Sequence, residues 1–203
     1  LAVLALALLV AGCAREPSRP AAGVATWPAD RATCFAALEF ERVVFADWRD
    51  APGGDACAVP APVVVSASSV AMTPALRTSC PMILAWARFE PEMQRLALRR
   101  LGAEIAQIHH YGSYSCRRMT GNQRRMSLHS TGQALDISGF TTTTGRHVGV
   151  QQGWRGARDE AAFLRDLSLA ACRHFNVVLT PNHDAAHRDH IHVDIGPWRY
   201  CGA

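Results

Sequence analysis

Two segments of this chain carry side chains that could hold and use a metal ion. One is His187-Arg188-Asp189-His190-Ile191-His192-Val193-Asp194, with three histidines within six residues; the other is Ser127-Leu128-His129-Ser130-Thr131-Gly132-Gln133-Ala134-Leu135-Asp136. A catalytic zinc takes three protein ligands from histidine and carboxylate and keeps a fourth position for water, which it can acidify to a pKa of about 7. His129, Asp136 and His192 supply such a set. His190 and His187 are the candidate catalytic histidines, to move a proton or steady an oxyanion. The cluster has no glutamate of the kind that serves zinc proteases with a His-Glu-x-x-His helix, so proton transfer falls to histidine. Activity is then expected to fall below about pH 6, because an ordinary imidazole titrates near 6.5. Taken singly, any one of these histidines reads as a surface or structural residue, and His109, His110, His147 and His174 lack comparable partners.

Strand periodicity is what must present these ligands. Over Gln133 to Gly139, alternation turns Ala134, Asp136 and Ser138 to one face and Leu135 and Ile137 to the other. The same rule from His190 to Ile195 separates His190, His192 and Asp194 from Ile191, Val193 and Ile195. Gly132 lets the chain turn so that His129 lies beside Asp136. Ser127 is expected to orient His129 or Asp136. Arg117 is a candidate substrate-binding residue, able to pair with a carboxylate through two parallel hydrogen bonds; a solvated surface arginine is the competing reading.

The rest of the chain suits one domain. Arg31 to Phe40 reads as a short helix and Val59 to Val65 as a strand near an edge. Met82 to Leu101 has helical spacing, as an amphipathic helix or a pair of turns broken at Pro91 and ended by Gly102. Ala103 to His110 reads as a strand with Ile105 and Ile108 inward, and Glu160 to Phe175 as a second helix. The order implies an α+β fold, an antiparallel sheet core with flanking helices. The folded domain is placed at residues 29–203.

Residues 1–12 open with an apolar run from Leu1 to Val10, too short to span a bilayer, that ends in Val10-Ala11-Gly12-Cys13. This is a lipobox, read as an incomplete lipoprotein signal peptide with Cys13 as the lipidation site; a plain secretory signal is the alternative. Residues 13–28, with Pro17 and Pro20, read as a spacer. Ala14 after the cysteine points to the periplasmic side of the outer membrane of a Gram-negative bacterium, with membrane contact through the lipid only. Setting Cys13 apart from the seven cysteines leaves an even set, suited to three disulfides in an oxidising compartment. Closeness in sequence favours Cys34–Cys57, Cys80–Cys116 and Cys172–Cys201. No Cys-x-x-Cys spacing suggests thiolate zinc. The formal charge is +4 and every basic side chain bar the histidines is arginine, scattered rather than clustered, so nucleic-acid binding is not expected. A monomer is expected.

The Ser-x-His-x-x-Gly-x-Ala-x-Asp pattern from Ser127 to Asp136 resembles the signature of D-Ala-D-Ala peptidases, in the zinc superfamily that includes lysostaphin-type peptidases and hedgehog domains. The cluster His187-x-x-His190-x-His192 is similar to that of penicillin-insensitive murein endopeptidase. That resemblance implies His192 as the third metal ligand, with His190 and His187 lining the active site. From Cys34 to Cys201 the wording resembles the bacterial extensin-like C-terminal domain family: Gly112-Ser113-Tyr114-Ser115-Cys116-Arg117, Ala134 to Phe140, Ala171-Cys172 and His187 to His192. Leu128 stands where that family has an acidic residue. Plant extensins are repetitive proline-rich wall proteins, and the 11 prolines here form no repeat, so that function does not transfer. The implied activity is zinc-dependent cleavage of peptidoglycan, as endopeptidase or carboxypeptidase. The alternatives are a zinc-holding wall-binding or scaffold lipoprotein, or a peptidase for exported proteins.

Overall fold

The computed structural model describes residues 27–28, 30–54 and 56–203. The leader, the lipidation site at Cys13 and all but the last two residues of the spacer lie outside the described residues. No helix among the described residues is long and apolar enough to cross a membrane.

In chain order the elements are α1 (Arg31–Phe40), β1 (Val44–Asp47), β2 (Pro62–Ala67), β3 (Ala71–Ser79), α2 (Cys80–Leu101), β4 (Ile105–Gly112), β5 (Arg118–Met119) and β6 (Asn122–Met126). A 3-10 turn (Leu128–Thr131) leads into β7 (Ala134–Thr142), β8 (His147–Gly149), α3 (Val150–Gly153), α4 (Arg158–Ala171) and β9 (Val177–Leu179). A second 3-10 turn (Ala185–His187), β10 (Ile191–Asp194) and β11 (Tyr200–Gly202) complete the chain. The fold is mixed α and β: among the described residues, a nine-stranded, mostly antiparallel sheet ordered β1-β2-β3-β4-β7-β10-β9-β11, with β8 beside β7 and parallel pairing only at β3–β4 and β9–β11. β5 and β6 form a separate hairpin.

Helix α2 lies at the centre. Ser79 caps its start, Pro81 occupies its first turn, where no amide hydrogen is needed, and Gly102 ends it in a left-handed conformation at φ 73°. The helix runs unbroken through Pro91, one helix rather than the alternative pair of turns. A proline inside a helix costs about 3 kcal/mol. Trp86, Phe89, Met93 and Leu96 are all buried, and at roughly 1.5–3 kcal/mol for each large apolar side chain their packing outweighs that cost. From Cys80 to Ala87 the helix is buried on every side, so its first half is a core element rather than an amphipathic one.

The apolar faces of β7 and β10 join that core through Leu135, Ile137, Ile191 and Val193. Helix α4 packs on α2 with Phe163, Leu164 and Leu167 buried, and stops at Ala171; the expected continuation to Phe175 is instead a turn. In β4, Ile105 and Ile108 are both buried although three residues apart, because the pairing with β7 shifts register between Ile105 and Gln107. β2 lies next to the edge of the sheet, as its reading as a strand near an edge expects; the edge strand itself is β1, a segment with too little apolar alternation to be read as a strand.

Three disulfides close the domain: Cys34–Cys80, Cys57–Cys116 and Cys172–Cys201. The last pair agrees with expectation. The expected Cys34–Cys57 and Cys80–Cys116 exchange partners, because α1 packs directly on the start of α2 and carries Cys34 to Cys80. Cys57 is thereby left to tie its loop to the strand-ending segment at Cys116. Nearness along the chain did not predict nearness in space.

Candidate metal centre

β7 and β10 are antiparallel neighbours, and their register sets His192 opposite Asp136. With the apolar side chains of both strands in the core, the opposite face presents these two polar groups. His192 Nδ1 lies 2.8 Å from Asp136 Oδ1. His129 arrives on the 3-10 turn, whose cap is Ser127: the Ser127 hydroxyl accepts from the His129 amide at 3.3 Å. The serine thus orients the histidine through the backbone. His129 Nε2 stands 3.2 Å from Asp136 Oδ2 and 3.3 Å from His192 Nδ1. One ligand-capable atom from each of His129, Asp136 and His192 falls within 4.8 Å of the others.

The return from His129 to β7 depends on Gly132. Its φ is 62°, and a Cβ there would meet Ser79 N at 2.9 Å and Val59 Cγ1 at 3.2 Å. Its carbonyl accepts from the Ser79 amide at 3.1 Å, the Ser79 hydroxyl at 2.9 Å and the Thr78 hydroxyl at 3.1 Å. The turn carrying His129 is therefore pinned to the junction of β3 and α2.

The second nitrogen of each of these two histidines is also held. His129 Nδ1 is 2.9 Å from the carbonyl oxygen of Ser113, and His192 Nε2 is 3.3 Å from Asp194 Oδ2. Each partner accepts the remaining ring proton and leaves His129 Nε2 and His192 Nδ1 free to face Asp136. Such outer partners fix the tautomer and ring orientation of metal-binding histidines. The donor set, its spacing and these partners all fit a zinc ion.

Burial alone would raise the pKa of Asp136, but hydrogen bonds from His129 and His192 and their charge outweigh it and hold the carboxyl well below the usual range. For His192 burial favours the neutral ring, yet the hydrogen bonds and charge of Asp136 and Asp194 prevail and push it up to about 9. His187 is lowered by burial, only partly offset by Asp184.

His190 and His187 flank the three-residue cluster. His190 Nε2 is 3.5 Å from Asp136 Oδ1, while its Nδ1 is 2.9 Å from Asp189 Oδ1. His187 Nδ1 is 2.7 Å from Asp184 Oδ1, and its ring centroid is 6.0 Å from that of His192. Arg117 is at the rim, with Nη1 3.4 Å from Thr120 Oγ1. All these histidines, Asp136 and Arg117 line one cleft of about 510 Å³.

Sequence reasoning gave no role to Ser113, Asp184, Asp189 or Asp194. Alternation already placed Asp194 on the His192 face, a signal sufficient to pair them. Asp184 is a helix-cap residue three positions before His187, and Asp189 adjoins His190; both signals are local and readable. Ser113 acts through its carbonyl, which no side-chain pattern reveals.

A mixed α/β domain with a histidine and aspartate centre on one sheet face is the class so defined. Residues 32–202 match the family model described as Extensin-like protein C-terminus. The chain belongs to that family. No curated protein and no solved structure matches it.

Proposed function

We propose that this chain is a zinc-dependent peptidase acting on peptidoglycan, as endopeptidase or carboxypeptidase, held as a lipoprotein on the periplasmic side of the outer membrane. In this reading its fold is that of the D-Ala-D-Ala peptidase and hedgehog group. The observation that carries the proposal is the convergence of His129 Nε2, Asp136 and His192 Nδ1 within 4.8 Å, in an open cleft with two more histidines at its edge. Zinc held by these three residues would supply Lewis acidity and a nucleophile near neutral pH.

His129 and His192 hold their orientations through Ser113 and Asp194. His190 donates its Nδ1 proton to Asp189, which leaves Nε2 as the basic nitrogen towards the cleft. That nitrogen takes the proton of the attacking water and returns it to the leaving amine. His187, fixed by Asp184 through Nδ1, lines the cleft beside His192 and His190. The lipid tether would keep the cleft beside murein.

The test is release of muropeptides from purified sacculi by zinc-loaded protein, compared with His192→Ala and His190→Ala. Wild type should release products that mass spectrometry assigns to one peptide bond, and both variants should lose release. Wild-type protein that binds sacculi yet releases nothing across pH and zinc concentration would establish the wall-binding reading instead.

A further inference from the structure

Beyond the histidines the wall of the cleft has a different chemistry. The β5–β6 hairpin with its flanking residues and the segment before β11 contribute Met119, Met126, Leu128, Trp198 and the arginines Arg117 and Arg125. The hairpin is registered to the metal centre at its base. The amide of Ser127, the cap of the His129 turn, donates to the Arg117 carbonyl at 3.1 Å, and Cys116, adjacent to Arg117, is bonded to Cys57.

Arg125 is laid over the Trp198 ring, with Cζ 5.2 Å from the ring centroid. A guanidinium stacked this way keeps its in-plane N–H fork available, and the indole limits its motion. Trp198 is 61 % exposed, so its stacking on Arg125 is not a matter of core packing. Among the described residues, neither Arg125 nor Arg117 has a carboxylate partner, whereas Arg100, Arg146 and Arg173 are each paired with one. From Tyr111 to Leu135 the sequence has four arginines and no acidic residue. The two acids that line the cleft, Asp136 and Asp194, both engage the ligand histidines. This wall is cationic and apolar at once.

We infer that Arg125, held on Trp198, is a specificity-determining residue that binds a free carboxylate of a short peptide, with Met119, Met126 and Leu128 against the peptide's aliphatic part. A carboxylate matches the planar fork through two parallel hydrogen bonds. The inference rests on the peptidase reading for the identity of the ligand, but its test does not require turnover.

Stem peptides prepared from sacculi are divided, and the carboxylates of one portion are capped as methylamides, which leaves any phosphate charge untouched. Affinity of both portions for the zinc-loaded protein is measured by calorimetry for wild type, Arg125→Lys and Arg125→Met, with zinc content as the control for folding. Wild type should bind the free-acid peptides about tenfold more tightly, in line with a charge-assisted pair. Arg125→Met should abolish that preference and Arg125→Lys keep part of it, each with one zinc per chain. Equal affinity of wild type for both portions, binding of neither, or an undiminished preference in Arg125→Met would overturn the inference. Preference without any peptide-bond cleavage would overturn the peptidase reading alone, and cleavage without preference this inference alone.

Discussion

His192 faces Asp136 across the β7–β10 ladder, with Nδ1 2.8 Å from Oδ1. A shift of one residue in this register would carry either side chain to the core face, because successive strand side chains alternate. The apolar neighbours Leu135, Ile137, Ile191 and Val193, all buried, forbid such a slip. The core therefore sets the geometry of the polar pair.

That contact makes the stability of chelated protein depend on pH. The folded-state pKa of His192, about 9, lies above the ordinary 6.5, so its contribution is fully present below pH 6.5 and lost as pH rises through 9. Protein stripped of metal should lose on the order of 3 kcal/mol over this window, read as a lower melting temperature at pH 9.5 than at 6.5. Zinc competes with the proton at Nδ1, so its affinity should rise with pH over the same range. Thermal unfolding with chelator and calorimetry with zinc measure the two trends. A melting temperature unchanged between those pH values would contradict the shared proton.

Asp194 acts on the candidate centre from outside the His129, Asp136 and His192 set. Its Oδ2 accepts from His192 Nε2, and its Oδ1 accepts from the Gly196 amide at 2.9 Å. Asp194→Asn removes the negative charge that supports the ring proton while preserving the side chain's shape. Zinc affinity should fall about 10- to 100-fold with the stoichiometry kept at one, as loss of such a partner does elsewhere. Asp136→Asn should instead lose the ion at micromolar zinc. Competition with a chromophoric chelator separates the two outcomes.

The site was more legible in the sequence than the fold around it. Period-two alternation put Asp136 and His192 on matching faces because both strands have one buried side, and the left-handed turn at Gly132 was readable from the glycine between His129 and the strand. Helix α1 was equally plain. The β5–β6 hairpin was not: it is exposed and polar, so it carries no apolar period to read. β3 was hidden by Pro74 within it, and two cysteine pairings by the packing of α1 on α2, a contact between elements remote in sequence. Local patterns announce what packs locally; long-range partners are chosen by the assembled core.

Gly132→Ala tests the turn that delivers His129. A side chain at φ 62° costs about 1 kcal/mol, and the Cβ would press on the backbone of Ser79 at 2.9 Å, which cannot yield as a flexible side chain would. Destabilisation of roughly 2–4 kcal/mol is expected, with weakened zinc binding because His129 must shift. Denaturant unfolding and zinc titration measure both. An alanine variant of wild-type stability would show that the turn is not confined as described.

The disulfide between Cys57 and Cys116 is expected to matter more to the cleft than to the core. It closes a separation of 59 residues, for which loop-closure entropy predicts about 4 kcal/mol of stabilisation. Yet the segment it fixes runs directly into Arg117 and the β5–β6 hairpin, while Cys34–Cys80 joins two helices in the core. Replacing Cys57 and Cys116 together by serine should therefore raise hydrogen exchange over residues 112–126 first, leaving α2 and α4 protected. Removing Cys34 and Cys80 should lower protection of the helices instead. Exchange followed by mass spectrometry compares the two variants, and digestion without reductant should recover the Cys34–Cys80 and Cys57–Cys116 peptides. Recovery of Cys34 joined to Cys57 would overturn the packing of α1 against α2 from which this prediction is drawn.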